Sequence, residues 1–296
     1  MNYYKWIDKN ISSLKGKTVA ISGATGGIGT AVCDYLAYIG ADLVCLDRNP
    51  DKSNRLIDDL KSKYSNLSAK HITVDLENFD QVAAVTEELK ESNIDYLILN
   101  AGAYKIPRHK CDTGYDNVFQ INFVSPYYLA RELMPHIKAR GGRVVAVSSI
   151  AHNYSKINVN DIDFSRVRAS SRAYGNAKRF LTFSLYGLFD NDEALSVVHP
   201  GITLTNITAH YPKLIFAIIK HPMKIIFMSP KKAALSIIFG IFYGCRRNEW
   251  IGPNVFNVWG LPQKQHLNTC KAAECSQIEK TADDIYRNLK KGEIIC

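Results

Sequence analysis

From Thr18 to about Gly252 the chain alternates short runs of apolar or β-branched residues with longer amphipathic stretches. A strand that is apolar along its length must be covered on both faces. The intervening helices supply that cover, so the pattern closes as repeated βαβ units around a parallel sheet. The spacing predicts strands at 19–22, 43–47, 71–74, 96–99, 144–148 and 195–198, with a last one around Trp250 and Ile251. Helices are predicted over 28–39, 52–64, 79–91, 115–139, 171–189 and 231–243. The expected fold is α/β, a doubly wound parallel sheet (Rossmann fold) in three α/β/α layers. After Leu261 the sheet pattern stops. Ile278, Ala282, Ile285 and Leu289 then recur at helical spacing, so an amphipathic tail helix over about 274–290 is expected, docked on the body, a second subunit or a membrane. A length of 296 residues fits one such domain over 1–296, with a lid or substrate segment at about 203–230 and a helical tail at about 265–296.

Between the first strand and the first helix of this pattern lies Gly23-Ala24-Thr25-Gly26-Gly27-Ile28-Gly29. Glycines let the chain turn tightly and let backbone N–H groups approach a pyrophosphate, which a helix N-terminus attracts. The spacing is Gly-x-x-x-Gly-x-Gly, against the commoner Gly-x-Gly-x-x-Gly. Asp47 closes the second strand, where a carboxylate can accept from the ribose hydroxyls of an adenosine and repels a 2′-phosphate. Arg48 follows and could neutralise that phosphate instead. Asp47 is the better placed of the two and the glycine turn itself carries no basic residue, so NAD is the expected cofactor and NADP the alternative.

Tyr174 and Lys178 are four apart, on one face of a predicted helix, and can share a site. A free phenol titrates near pH ~10, so a tyrosine acts as general acid or base at neutral pH only beside a positive charge. Lys178 and an oxidised nicotinamide are expected to provide one, and Ser149, just past the fifth strand, can hydrogen-bond a substrate oxygen. Spacing alone proves little: Tyr286 and Lys290 repeat it near the C-terminus with no serine in the right order, and Tyr286 reads as a surface or packing residue. Ser148 is the structural neighbour of Ser149. No Gly-x-Ser-x-Gly elbow accompanies Ser149, so His152 reads as a loop histidine and His199 as a satisfied histidine at a strand end.

These motifs in this order resemble the short-chain dehydrogenase/reductase family, over about 15–260. They are Ser-Gly-x-x-x-Gly-x-Gly at 22–29, Asp75-Leu76, Asn100-Ala101-Gly102, Asn122, Ser149, Tyr174-x-x-x-Lys178 and Pro200-Gly201. The stretches VVAVSSIAH and HPGITLTN are most similar to the retinol-dehydrogenase-like branch. Ser22 stands where the family usually has threonine and keeps the hydroxyl. The resemblance implies catalytic roles for Asn122, Ser149, Tyr174 and Lys178, with Asn122 holding a water in the proton relay and Lys178 also holding ribose hydroxyls. It implies cofactor contacts from Gly23, Thr25, Gly26, Gly27, Ile28, Gly29, Asp47, Arg48, Asp75, Leu76, Asn100, Ala101, Gly102, Tyr174, Lys178, Pro200, Gly201 and Thr203. Thr203 and Thr205 would reach the carboxamide or pyrophosphate, or simply cap a helix.

Composition narrows the setting. Seven scattered cysteines, an odd number with no Cys-x-x-Cys pair, read as reduced thiols, and no metal site is expected. The opening MNYYKWIDKN lacks the apolar stretch of a signal peptide, so a cytoplasmic protein is expected. A net charge of +9 suits a nucleic acid, an anionic membrane or an anionic cofactor, but the basic residues are spread out and nucleic acid ranks last. The segment 213–228 is largely apolar but interrupted by Lys220, Pro222 and Lys224, too broken to span a bilayer. It reads first as a lid over an apolar substrate, with peripheral membrane contact or a homo-oligomer left open. The expected function is an NAD(P)-dependent oxidoreductase acting on a small apolar alcohol or carbonyl, retinoid-, steroid- or lipid-like by resemblance. The alternative is a non-catalytic dinucleotide sensor or membrane-surface protein.

Overall fold

A computed structural model describes residues 2–190, 192–203 and 227–293. The strands are β1 (Thr18–Ser22), β2 (Asp42–Asp47), β3 (Ala69–Thr73), β4 (Tyr96–Leu99), β5 (Arg143–Val147), β6 (Leu195–Val198), β7 (Glu249–Val255) and β8 (Trp259–His266). They form one sheet in the order β3-β2-β1-β4-β5-β6-β7-β8, parallel up to β7 and antiparallel between β7 and β8. The helices are α1 (Tyr3–Asn10), α2 (Gly27–Tyr38), α3 (Pro50–Lys63), α4 (Phe79–Glu91), α5 (Ser125–Ala139), α6 (Ser170–Phe189), α7 (Pro230–Phe242) and α8 (Ala272–Lys291).

Side chains alternate across each strand, and the two sets bury separately. Val19, Ile21, Leu43, Cys45, Ile98 and Val145 pack with residues of α1, α2, α3 and α7. Ala20, Val44, Leu46, Leu97, Leu99 and Val144 pack with residues of α4, α5, α6 and α8. Fully burying one such side chain stabilises by roughly 1.5–3 kcal/mol, so both layers are needed to hold strands apolar on two faces.

The sequence reading differs from this structure at three places. The sheet does not stop at Leu261, because β8 continues to His266 and pairs with β7 from Trp259 onward. The predicted helix over 115–139 is broken: a short turn at Asn117–Phe119 passes into a π-helical turn at Gln120–Val124, and α5 begins only at Ser125. Helix α1 was not expected. It docks through Ile7 and through Tyr4, whose ring meets Tyr35 and Tyr38 edge-on and whose hydroxyl shares Asp34 with Lys63 and Tyr64. Of the expected lid, residues 204–226 and with them Thr205 lie outside the described residues; Thr203 and Met228, on either side, form a parallel bridge.

The tail helix docks on the body. Cys275, Ile278, Ala282 and Ile285 of α8 are buried in the layer of α5 and α6, and Asp283 pairs with Arg131 at 2.6 Å. Tyr286 donates its hydroxyl to Glu132, which also pairs with Lys290 at 3.3 Å. The second Tyr-x-x-x-Lys pair is thus a packing device clasping one glutamate.

Two histidines are enclosed beside β7. His199 is 2% exposed and stacks on Trp250 at 5.2 Å and 11°. Its Nε2 donates to Asn257 O at 2.9 Å, while its buried Nδ1 has no hydrogen-bond partner among the described residues. His152 meets the same indole edge-on at 5.5 Å. Burial lowers the His152 pKa to about 4 and that of His199 to about 3. A histidine depressed below its unfolded value of ~6.5 stabilises the fold in its neutral form above that pH, and this is lost as pH falls towards the folded value. Stability should therefore fall from about pH 6.5 downward, by up to about 1.4 kcal/mol per pH unit for each ring. Urea midpoints between pH 7.5 and 5 should show a shallower slope for His199→Asn than for the wild type; equal slopes would mean that this ring is not held neutral.

Candidate active site

The glycine turn begins where β1 ends. Gly23 has φ +70°, and a Cβ there would stand 2.9 Å from Ala101 Cα, so both conformation and space require glycine. Gly26 is the N-cap of α2 with no side-chain cap, which leaves the first amides of the helix, from Gly27, Ile28 and Gly29, open to an anion. Ser22 ties this turn to the next strand. Its Oγ accepts from the backbone N–H groups of Asn100 and Ala101, each at 3.1 Å, and donates to Ile98 O at 3.4 Å. Asn100 Nδ2 returns bonds to Ser22 O and Gly23 O at 3.1 and 3.0 Å. The serine that replaces the family's threonine uses only the hydroxyl.

Asp47 is buried and turned inward. Its Oδ1 accepts from Thr25 N at 3.2 Å and Thr25 Oγ1 at 2.9 Å, and its Oδ2 from Ser53 Oγ at 3.2 Å. Arg48 is exposed and makes no ion pair among the described residues. Beyond β3, Asp75 Oδ1 accepts from Glu77 N at 3.0 Å, and Leu76 O accepts from Ser125 Oγ at 2.7 Å, which ties this loop to the start of α5.

On the other side of the crevice, α6 carries Tyr174 and Lys178, and Ser149 caps a 3₁₀ turn at Ile150–Tyr154 by accepting from Ala151 N at 3.2 Å. Turn and helix touch because residue 175 is glycine: a Cβ there would lie 2.3 Å from Ala151 O. Burial pushes the Tyr174 phenol up to about 12, with the Ser149 hydroxyl opposing, and burial lowers Lys178 to about 8. The Lys178 ammonium lies 5.8 Å from the Tyr174 ring centre and donates to Val147 O at 2.8 Å. A Cβ on Gly102 would stand 2.9 Å from Asn122 Oδ1, so the glycine lets the Asn100 turn lie against the Asn122 side chain.

Asn122 sits in the π-helical turn, and its side chain is spent on the protein. Oδ1 accepts from Ala103 N at 3.3 Å, while Nδ2 donates to Ala103 O at 2.9 Å and to Val118 O at 2.8 Å. It clamps the loop that brings Tyr104 edge-on to Tyr174, with ring centres 5.3 Å apart. Tyr104 was not singled out from the sequence, where nothing marks a loop aromatic as a site residue. Ser148 Oγ lies 2.6 Å from Thr182 Oγ1 in the packed interior. Pro200 and Gly201 follow β6, and Thr203 is buried beside Met228.

The predicted residues thus gather at the C-terminal ends of β1, β2 and β4 to β6. A separate cleft of about 790 Å³, lined by Ile7, Lys15, Tyr38, Asp42, Lys63 and Leu67 among others, holds none of them. Among the described residues no helix is long and apolar enough to cross a membrane.

The family model described as short chain dehydrogenase matches residues 17–160. An uncharacterized oxidoreductase of Schizosaccharomyces pombe is 26% identical over 81% of this chain and 76% of its own length. Retinol dehydrogenase 12 of Mus musculus is 30% identical over 66% of this chain and 64% of its own, so the chain spans just under two thirds of that relative. Among solved structures, an uncharacterized protein from Mycobacterium paratuberculosis superposes with a TM-score of 0.74 at 21% identity, covering 94% of this chain and 96% of that one. L-Sorbose reductase from Gluconobacter frateurii, complexed with NADPH and L-sorbose, does so with 0.59 at 22% identity over 78% and 91%. With strand order, glycine turn and the Ser149, Tyr174 and Lys178 set at one end of the sheet, the chain is similar to the short-chain dehydrogenase/reductase family, with retinol dehydrogenases among its relatives.

Proposed function

We propose that this protein is an NAD(P)-dependent oxidoreductase that interconverts an apolar alcohol and its carbonyl, with Tyr174 as general acid and base. The observation that carries this reading is Tyr174 one helical turn from Lys178, whose ammonium lies 5.8 Å from the phenol ring centre, together with Ser149 after β5 and an uncapped helix N-terminus after β1. The residues fit a dinucleotide. Among the described residues the first amides of α2 lack acceptors that a pyrophosphate would supply, and Lys178, 3% exposed, has only Val147 O as a partner for its three protons. When bound, a nicotinamide coenzyme supplies or accepts the hydride. Ser149 Oγ donates to the substrate oxygen, Tyr174 Oη exchanges a proton with that oxygen, and Lys178 Nζ donates to ribose hydroxyls. Its charge and that of the oxidised ring together bring the buried phenol towards neutral pH. Asn122 supports this site by fixing the loop of Ala103 and Tyr104 rather than through a free carboxamide. The name of the mouse relative favours a retinoid-like or other long apolar alcohol as substrate.

The cofactor preference turns on Asp47 and Arg48. Three donors from Thr25 and Ser53 already occupy the Asp47 carboxylate, which makes it a brace of the glycine turn and a weaker reader of ribose hydroxyls. Arg48 stands exposed beside it. This favours the 2′-phosphorylated coenzyme over the NAD expected from sequence, in line with the NADPH bound to L-sorbose reductase.

Fluorescence titration with NADH and NADPH in parallel should give tighter binding of NADPH, and Arg48→Ala should remove most of the difference. Binding of neither coenzyme would sink the oxidoreductase reading, and tighter NADH would return the choice to Asp47. Tyr174→Phe should lower turnover by about 10²-fold or more while coenzyme affinity stays within about twofold, since only the proton is lost. Residual activity near wild type would refute the role of the phenol. With Lys178 near 8, its ammonium is present below that pH, so coenzyme affinity should hold from pH 6.5 to 7.5 and weaken severalfold by about pH 9. Lys178→Ala should bind weakly at every pH, and a pH profile unchanged by that substitution would show that another group is responsible.

A further inference from the structure

The turn that presents Ser149 is held from behind by residues of the C-terminal segment, about 120 positions further along the chain. Ser149 O accepts twice from His152, from its backbone N at 3.1 Å and from its ring Nδ1 at 2.6 Å. A carbonyl can only accept, so Nδ1 carries the ring proton. Nε2 is then bare, and Thr269 Oγ1 donates to it at 2.8 Å. His152 is fully buried, and no other orientation of these donors satisfies both ring nitrogens.

A second clamp lies alongside. Arg179, next to Lys178 on α6 and 3% exposed, grips both oxygens of Glu274 at 2.7 Å. It also donates to Thr269 O at 2.9 Å and His152 O at 3.3 Å. Glu274, in the first turn of α8, accepts in addition from Ile157 N at 3.2 Å. Both ends of the Ser149 to Ile157 stretch are therefore fastened to residues 269–274.

We infer that His152 and Thr269, braced by the Arg179–Glu274 pair, are positioning residues for Ser149, so the C-terminal segment is a working part of the active site. This rests on Ser149 touching the substrate oxygen, as set out under Proposed function. The backbone of Ser149 sets where its Cβ points and Ala151 N holds its Oγ, while His152 holds that backbone at the carbonyl. A misplacement of about 1 Å at such a group can cost 10²-fold in rate.

The test uses the full chain labelled with ¹⁵N-histidine. A long-range ¹H–¹⁵N spectrum at pH 7, with the His152 signals identified by their loss in His152→Asn, should show the Nδ1–H tautomer. Thr269→Val should shift the unprotonated nitrogen. On an aliphatic or aryl ketone that the wild type reduces, Thr269→Val and His152→Gln should lower kcat by about tenfold, with coenzyme affinity within about twofold. His152→Asn, whose amide nitrogen can replace Nδ1 as donor to Ser149 O, should recover most of kcat. A ring protonated at Nε2, or kcat within about twofold of wild type in folded His152→Gln, would overturn the inference. The tautomer is read without substrate. A wild type that turns over no ketone would therefore count against the proposed function, while the ring proton still decides whether Ser149 is held as described.

Discussion

The site depends on what happens beside β1. This strand pairs in parallel with β2 on one side and β4 on the other, and the chain leaves the two outer neighbours towards opposite faces of the sheet. The C-terminal end of β1 is therefore the place where a crevice must open. Ser22 holds its two walls in register, because one buried hydroxyl serves the amides of Asn100 and Ala101 while Asn100 bonds back to the carbonyls of Ser22 and Gly23. Removing that hydroxyl would leave two amides without their acceptor, at about 1–3 kcal/mol each where water is excluded.

Burial then governs the chemistry. It disfavours the charged form of Tyr174 and of Lys178, raising the phenol and lowering the ammonium, and the Ser149 hydroxyl offsets only part of the first effect. At neutral pH Lys178 still carries most of its charge while the phenol stays protonated, and the phenol is made reactive by further charge that arrives from outside. Coupling between binding and reactivity follows, since a phenol that titrates out of range in the empty crevice comes into range when the crevice fills.

Most of the sheet could be read in the sequence because each central strand is a run of β-branched or apolar residues that only a two-sided cover can bury. Strand β8 could not, because Trp259–His266 reads WGLPQKQH, half-exposed, with proline, lysine and glutamines in place of such a run. Helix α1 is eight residues long with only Ile7 buried, too little for a periodic signal. At the site, Ser149, Tyr174 and Lys178 stood out because their order and spacing carry a chemical reason. The inward turn of Asp47 and the grip of Asn122 on Ala103 did not, since a residue type says what a side chain can bond and the tertiary contacts decide what it does bond. His152 is the clearest instance: a histidine in a polar stretch gave no sign that Thr269 would fix its tautomer.

The π-helical turn at Gln120–Val124 sets a phase. An α-helix advances about 100° per residue, so a wider turn in its path offsets the faces before and after it by roughly one residue. Within the turn the chain aims Asn122 at the Ala103 loop; after it, Leu129, Leu133 and Ile137 point into the core. The extra residue works as a hinge pin between two cylinders that share an axis, letting the site and the core each keep their own angle.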